Sequence, residues 1–361
     1  MAYTTVDDPE AHFQVLKYTG NGSAQSMTFG GTTNMQPDLV WIKNLQDAEN
    51  HNWTDSVRGA EKVIFSNATN SQATETNGMS SFDSNGFGVS VTNGALNASD
   101  EPFISYCWKA GTTSGITTDG STDITPSAYS FNQTSGFSII QYAGDDTNSQ
   151  VAHGLGAVPK MIITKQTDAT RDWGVYHAGV NSGSSPEDYG LELSDTSAQN
   201  DDSGWWNDTA PDSVNITVGR DSRTNGHDGG TYIAYVFAEK QGFSKFGSYT
   251  GTGNVDGPFL YCGFQPAWCM LKRTDGTQPW EVFDNKRSTN GGFNELDKSI
   301  AVDNANAEDT STDYDDVDFV SNGVKIREDN DDINASGAKY IFVAFARAPF
   351  VNSNGVPCNA R

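Results

Sequence analysis

Residues 231–240 read TYIAYVFAEK, and nearly every position is apolar or aromatic. A strand with one wet face alternates, so an unbroken run of this composition predicts a strand covered on both faces, as at the centre of a packed sandwich. The run has two counterparts, PFISYCWKAG at 102–111 and KYIFVAFARA at 339–348. Ahead of each stand two further motifs in constant order. An aromatic strand ends in a glycine turn: FQVLKYTGNG at 13–22, FSIIQYAGDD at 137–146 and FSKFGSYTGTG at 243–253. A proline then opens an apolar strand that closes on lysine: PDLVWIK from Pro37, PKMIITK from Pro159 and PAWCMLK from Pro266. The order is that of a threefold internal repeat.

Between the proline motif and the terminal strand each copy carries a tryptophan strand, at Trp53, Trp173 (WGVYH) and Trp280 (WEVFD). Copies one and three also share a turn, FDSNGFGVSV at 82–91 and FVSNGVKIR at 319–327, and the tripeptide NAS at Asn97 and Asn334. The recurring segments are short, β-branched or aromatic, and bounded by Gly, Asn, Asp, Ser or Pro. No sustained helical period appears. The expectation is an all-β chain of three tandem antiparallel β-sandwich domains of jelly-roll type, each with about seven to ten strands. Residues 1–111, 137–241 and 242–350 form the repeats. A Ser/Thr/Gly-rich linker at 112–136 leaves the first free to hinge, and residues 351–361 form a polar tail lying on a neighbouring surface.

Composition bounds the function. The chain has 361 residues and a formal charge of −24, from 46 Asp+Glu against 22 Lys+Arg. Binding a phosphate backbone needs a dense basic surface, so nucleic acid is not an expected partner. Aromatics at 11% exclude a disordered acidic tail. No apolar run reaches the length of a membrane span, and the first residues lack the pattern of a signal peptide. These features predict a soluble protein made in a cytosol, without membrane insertion. Cys107, Cys262, Cys269 and Cys358 show no metal-like pairing and read as buried free thiols.

A catalytic constellation is not evident. His12, His51, His153, His177 and His227 stand in no recognisable relation to a nucleophile or carboxylate motif, and His177 reads as a strand-end polar residue. The chain is therefore expected not to be an enzyme, and no cofactor is expected apart from calcium. Calcium candidates are the acidic clusters containing Asp313, Asp315, Asp316, Asp329, Asp331 and Asp332, since oxygen-rich loops supply the six to eight ligands that ion takes. The competing reading is a solvated acidic loop. Trp205 and Trp206, with Asp208, lie in the loop-like stretch DDSGWWNDTAPDS and are glycan candidates: an exposed ring stacks on a sugar face while a carboxylate takes its hydroxyls. The alternative is that these rings cover a sandwich edge. Trp41, Trp268, Tyr106, Trp108, Tyr232, Phe237, Tyr340 and Phe345 recur at matching strand positions and are expected in the core.

The ordered motifs, above all GFSKFGSYTGTGNVDGPFLYCGFQPAWCMLKR, WEVFDNKR, NASGAKYIFVAFARAPF and the terminal GVPCNAR, resemble a family of virion proteins from tailed bacteriophages, frequent among marine phages. The resemblance covers nearly the whole chain. It implies repeated β-sandwich modules of lectin-like or SPRY-like type and a structural or tail-fibre-like role, with no catalytic residues to carry over. The implied localisation is the virion, assembled in the host bacterial cytoplasm. The implied partners are other virion proteins of tail or capsid, further copies of the chain in a homo-oligomer, and a host surface glycan. Three functions are open at this point: an external tail-fibre-like or tail-associated appendage contacting the host surface, a head decoration or cement protein, and a glycan-degrading spike enzyme.

Overall fold

The structure, a computed structural model, describes residues 4–91, 93–288, 294–309 and 317–358. It is all-β, built of antiparallel sheets of which none closes into a barrel. Four strands recur in each copy in one spatial order: opening, closing, proline and tryptophan strand. In copy one these are Phe13–Thr19, Pro102–Trp108, Leu39–Asn44 and Asn52–Asp55. In copy two they are Phe137–Ala143, Thr231–Phe237, Met161–Gln166 and Gly174–His177. In copy three they are Ser244–Thr250, Lys339–Pro349, Phe264–Arg273 and Trp280–Asp284. A smaller sheet faces each large one: Gln25–Thr28 with Gly86–Val89 and Met79–Asp83, then Ser149–Ala152 with Asn215–Val218, then Phe259–Tyr261 with Gly323–Ile326 and Val317–Val320.

The two-sided apolar character of the closing strands has a specific cause. One face of Pro102–Trp108 packs Phe103 and Cys107 against Met27, Phe87 and Val89 of its own small sheet. The other face points Ile104, Tyr106 and Trp108 into a core shared with the other two copies. Copy two does the same, with Tyr232, Ala234 and Val236 outward, and Ile233, Tyr235 and Phe237 inward. At the centre the equivalent residues Trp108, Phe237 and Phe345 form a near-equilateral triangle, with ring centroids 6.3, 5.6 and 6.0 Å apart. Leu39, Met161 and Trp268 pair with them across the sheets and complete the axis. These rings enclose a void of about 20 Å³ with a wholly apolar lining, which offers water no hydrogen-bond partner.

Buried lysines tie the copies into a ring. The lysine closing each proline strand is fully buried and donates to backbone carbonyls, one of them in the neighbouring copy. Lys165 reaches Thr69 O of copy one at 3.2 Å, Lys272 reaches Thr196 O of copy two at 2.8 Å, and Lys43 reaches Ala305 O of copy three at 3.3 Å. Burial pulls each ammonium down to about 8. Two junctions add a buried triad. Tyr235 donates to Asp55 Oδ2 at 2.7 Å beside the Asp55–Arg58 ion pair, and Tyr106 donates to Asp284 Oδ2 at 2.8 Å beside Asp284–Arg287. At the third junction the equivalents are His177 and Val343, and the charge is gone.

Several expectations change. The segment 112–136 is no free linker: Ala128–Asn132 adds an edge strand to the large sheet of copy two, and Thr112 and Ile124 bridge to Phe131 and Val151. With the first copy in the common core, a hinge there would tear that core open. The tryptophan strands are offset by two residues. Trp53 is equivalent to Val175 and Val282, and His51 stands where Trp173 and Trp280 stand. In the opening strand Ser244, not Phe243, matches Phe13 and Phe137. Three thiols are buried, but Cys358 is exposed. All eight expected core aromatics are buried.

Candidate functional site

Trp205 and Trp206 are both buried, each 1% exposed. Gly190 lets the Trp205 ring lie against the backbone, since a Cβ there would sit 2.2 Å from it, and the Arg223 guanidinium covers the ring at 4.4 Å. Arg223 is held by Glu192 at 2.7 Å and Asp221 at 2.9 Å. Trp206 donates to Tyr189 O at 3.1 Å. The expected stacking platform is thus corrected: these rings close copy two, and exposed Asp208 has no ring face beside it from this pair. A recess of about 310 Å³ remains next to Arg223 and Asn200, with Trp205 in its wall.

The calcium candidates divide. Asp313, Asp315 and Asp316 lie outside the described residues. Asp329 and Asp331 are exposed, with Asp331 turned toward Arg273 at 4.0 Å, while Asp332 accepts a hydrogen bond from Gln278 Nε2 at 2.6 Å. Among the described residues no three His, Cys, Asp or Glu side chains come together as a metal site. The described carboxylates are committed elsewhere or spread out. His177 is buried, and desolvation drops it to about 3, which leaves it neutral.

A site that sequence reading missed lies in copy three. On the edge strand Phe259–Tyr261 only Leu260 points inward, and Phe259 and Tyr261 stand out 46% and 60% exposed. The matching outward positions of copy one are Ser26 and Thr28. Tyr261 forms one wall of a recess of about 190 Å³. Phe350 and Val351 also line it, together with the polar residues Glu239, Gln241, Ser244 and Lys245.

Local sequence builds this cleft. The turn between copies two and three closes through Phe243 and Ser244 N–H bonds to Lys240 O, and Ser244 Oγ accepts from Lys240 N at 2.9 Å. Gly242, at φ +78, makes room for Thr4, whose hydroxyl donates to Gln241 O at 2.8 Å. Gly263, at φ +79, turns the edge strand into the next one, and its carbonyl accepts from Phe350 N at 3.3 Å. Lys245 and Glu239 pair at 2.9 Å, and the other Glu239 oxygen accepts from Phe246 N. Burial pushes the Cys262 thiol up to about 12, so it is no nucleophile. The cleft presents a carboxylate, an ammonium, an amide, a hydroxyl and an exposed ring: equipment for binding, without an activated attacking group.

The only sequence signal for the cleft was the contrast between FLY in copy three and QSMT at the same strand of copy one. No curated protein and no solved structure matches the chain. One family model matches residues 8–349, from the first turn to the end of the last closing strand. That span takes in all three copies and their shared core, and the chain belongs to the family described as a domain of unknown function, DUF7483.

Proposed function

We propose that this chain is a virion structural protein of a tailed bacteriophage, an external tail-fibre-like or tail-associated part that contacts the host surface. The observation carrying the reading is the concentration of exposed aromatics in copy three, Phe259, Tyr261 and Phe350, on a body whose other described Phe, Tyr and Trp rings are all buried or half-buried. A rigid body that shows its aromatics at one place is suited to recognition there. The motifs resembling phage virion proteins support the setting, and the net charge of −24 suits a displayed, soluble surface.

The ring of three copies favours a second reading, a head decoration or cement protein. One chain with a pseudo-threefold axis has the geometry to sit over a threefold position of a shell. Immunogold electron microscopy of intact virions with antibody against the purified chain decides between them. Gold at the tail is expected. Gold spread over the head, with hundreds of copies per particle, replaces the first reading by the second, and unlabelled virions remove both.

A further inference from the structure

We propose that the cleft walled by Tyr261 and Phe350 is a saccharide-binding site. The inference deepens the host-contact reading by naming a ligand class. A pyranose has an apolar C–H face and a rim of hydroxyls, and it needs a ring to stack on beside mixed donors and acceptors. The cleft offers both within about 190 Å³, well under the roughly 300 Å³ at which drug-sized sites begin. That size suits one sugar ring.

Other ligand classes fit less well. A wholly apolar ligand would strip water from Glu239, Gln241, Ser244 and Lys245 and give no hydrogen bond in return. A divalent cation would meet a single carboxylate already paired with Lys245 at 2.9 Å. An anion would find the lysine neutralised by the same pair. A neutral hydroxyl can accept from Lys245 and donate to Glu239 together, because the pair presents opposite hydrogen-bonding roles side by side. Gly263 keeps the Tyr261 hydroxyl edge open, since a side chain there would begin 3.5 Å from that oxygen.

The test is saturation-transfer difference NMR on the full chain, with the methyl glycosides of glucose, galactose, mannose and N-acetylglucosamine as probes. Ring-proton saturation is expected for at least one probe. It should weaken about tenfold in Tyr261→Ala and in Lys245→Met, and persist in Phe259→Ala, whose ring lies outside the cleft. Tyr261 is 60% exposed, so its truncation should leave the thermal melt of the protein nearly unchanged. Absence of saturation with all four probes overturns the proposal, as does full saturation in Tyr261→Ala. Virion labelling is read independently: tail gold without sugar binding removes the ligand class alone, and sugar binding with head gold removes the host-contact setting alone.

Discussion

Lys272 Nζ of the third copy lies 2.8 Å from the carbonyl oxygen of Thr196 in the second. A long cationic side chain has been drawn out of water to bond two backbone acceptors, Thr196 O and Gln278 O. Its two counterparts, Lys43 and Lys165, do the same at the other junctions.

Replacing this lysine by an apolar residue of similar length strands the carbonyls. Lys272→Met is expected to cost about 1–3 kcal/mol for the unsatisfied acceptors, read as a lower midpoint in urea with unchanged slope. The pH dependence has a definite sign. The buried amine titrates near 8 and an unfolded lysine near 10.5, so between these values the unfolded chain holds more protons. The lysine's contribution therefore grows as pH rises through that window and shrinks as it falls. Buried thiols and tyrosines with raised values pull the other way. The difference between wild type and Lys272→Met from about pH 8 to 9.5 isolates the lysine, and it should widen with pH.

Acid should weaken the fold from just below neutrality. Burial lowers His153 to about 4 and His177 to about 3, against an ordinary 6.5. The unfolded chain takes up protons first, so stability present above pH 6.5 is lost progressively on the way down to the folded values. Asn in place of His177 keeps an acceptor for the Gly179 N–H that Nδ1 now binds at 3.0 Å. His177→Asn should flatten the fall in melting temperature between pH 6.5 and 4. An unchanged slope would assign the acid sensitivity elsewhere.

The triad of Tyr235, Asp55 and Arg58 should behave unequally under single and combined replacement. Arg58→Met leaves Asp55 buried and uncompensated, and about 3–5 kcal/mol should be lost. Changing all three to apolar residues of similar volume should cost far less, because the third junction already works without charge, with His177 and Val343 in the equivalent places. Equilibrium unfolding of the single and triple variants checks this.

Trp205→Ala should unfold copy two rather than alter recognition. The ring is 1% exposed and packed on Gly190 and Arg223, so a loss of about 3–5 kcal/mol is expected. Gly190→Ala should be comparably harmful, since its Cβ would lie 2.2 Å from the indole. A Trp205→Ala variant with wild-type stability would return that ring to the list of binding residues.

The repeat was readable because its strands are apolar on two faces, and that pattern survives divergence. The closing strands, the proline strands and their lysines all stood out. What those lysines do was not readable, since a strand-ending lysine ordinarily points to solvent and these are buried only because a neighbouring copy covers them. The offset at Trp53 arose from matching like with like: His51 fills the tryptophan position of copy one, and only the pairing Trp41↔Trp53 exposes it. Asn225 went unnoticed for a similar reason. It does the work of Asn97 and Asn334, accepting from the Asp145 N–H at 3.1 Å as they accept from Asn21 and Thr252. The tripeptide NAS surrounds only those two. The cleft depends on Phe350, Gly242 and Tyr261, which are far apart in sequence and meet only through tertiary structure.

The direction of the lysine bonds bears on ancestry. Each runs from one copy to the copy before it, with the first reaching the third, so the pattern is cyclic and every copy both gives and receives. A shorter polypeptide holding one copy could satisfy that pattern only by joining two others around the same axis, since its inward aromatics would otherwise face water. The three-copy chain has the layout that fusing three such copies would produce, and within it the copies differ while the cycle stays whole: one carries outward aromatics and one junction carries no buried charge.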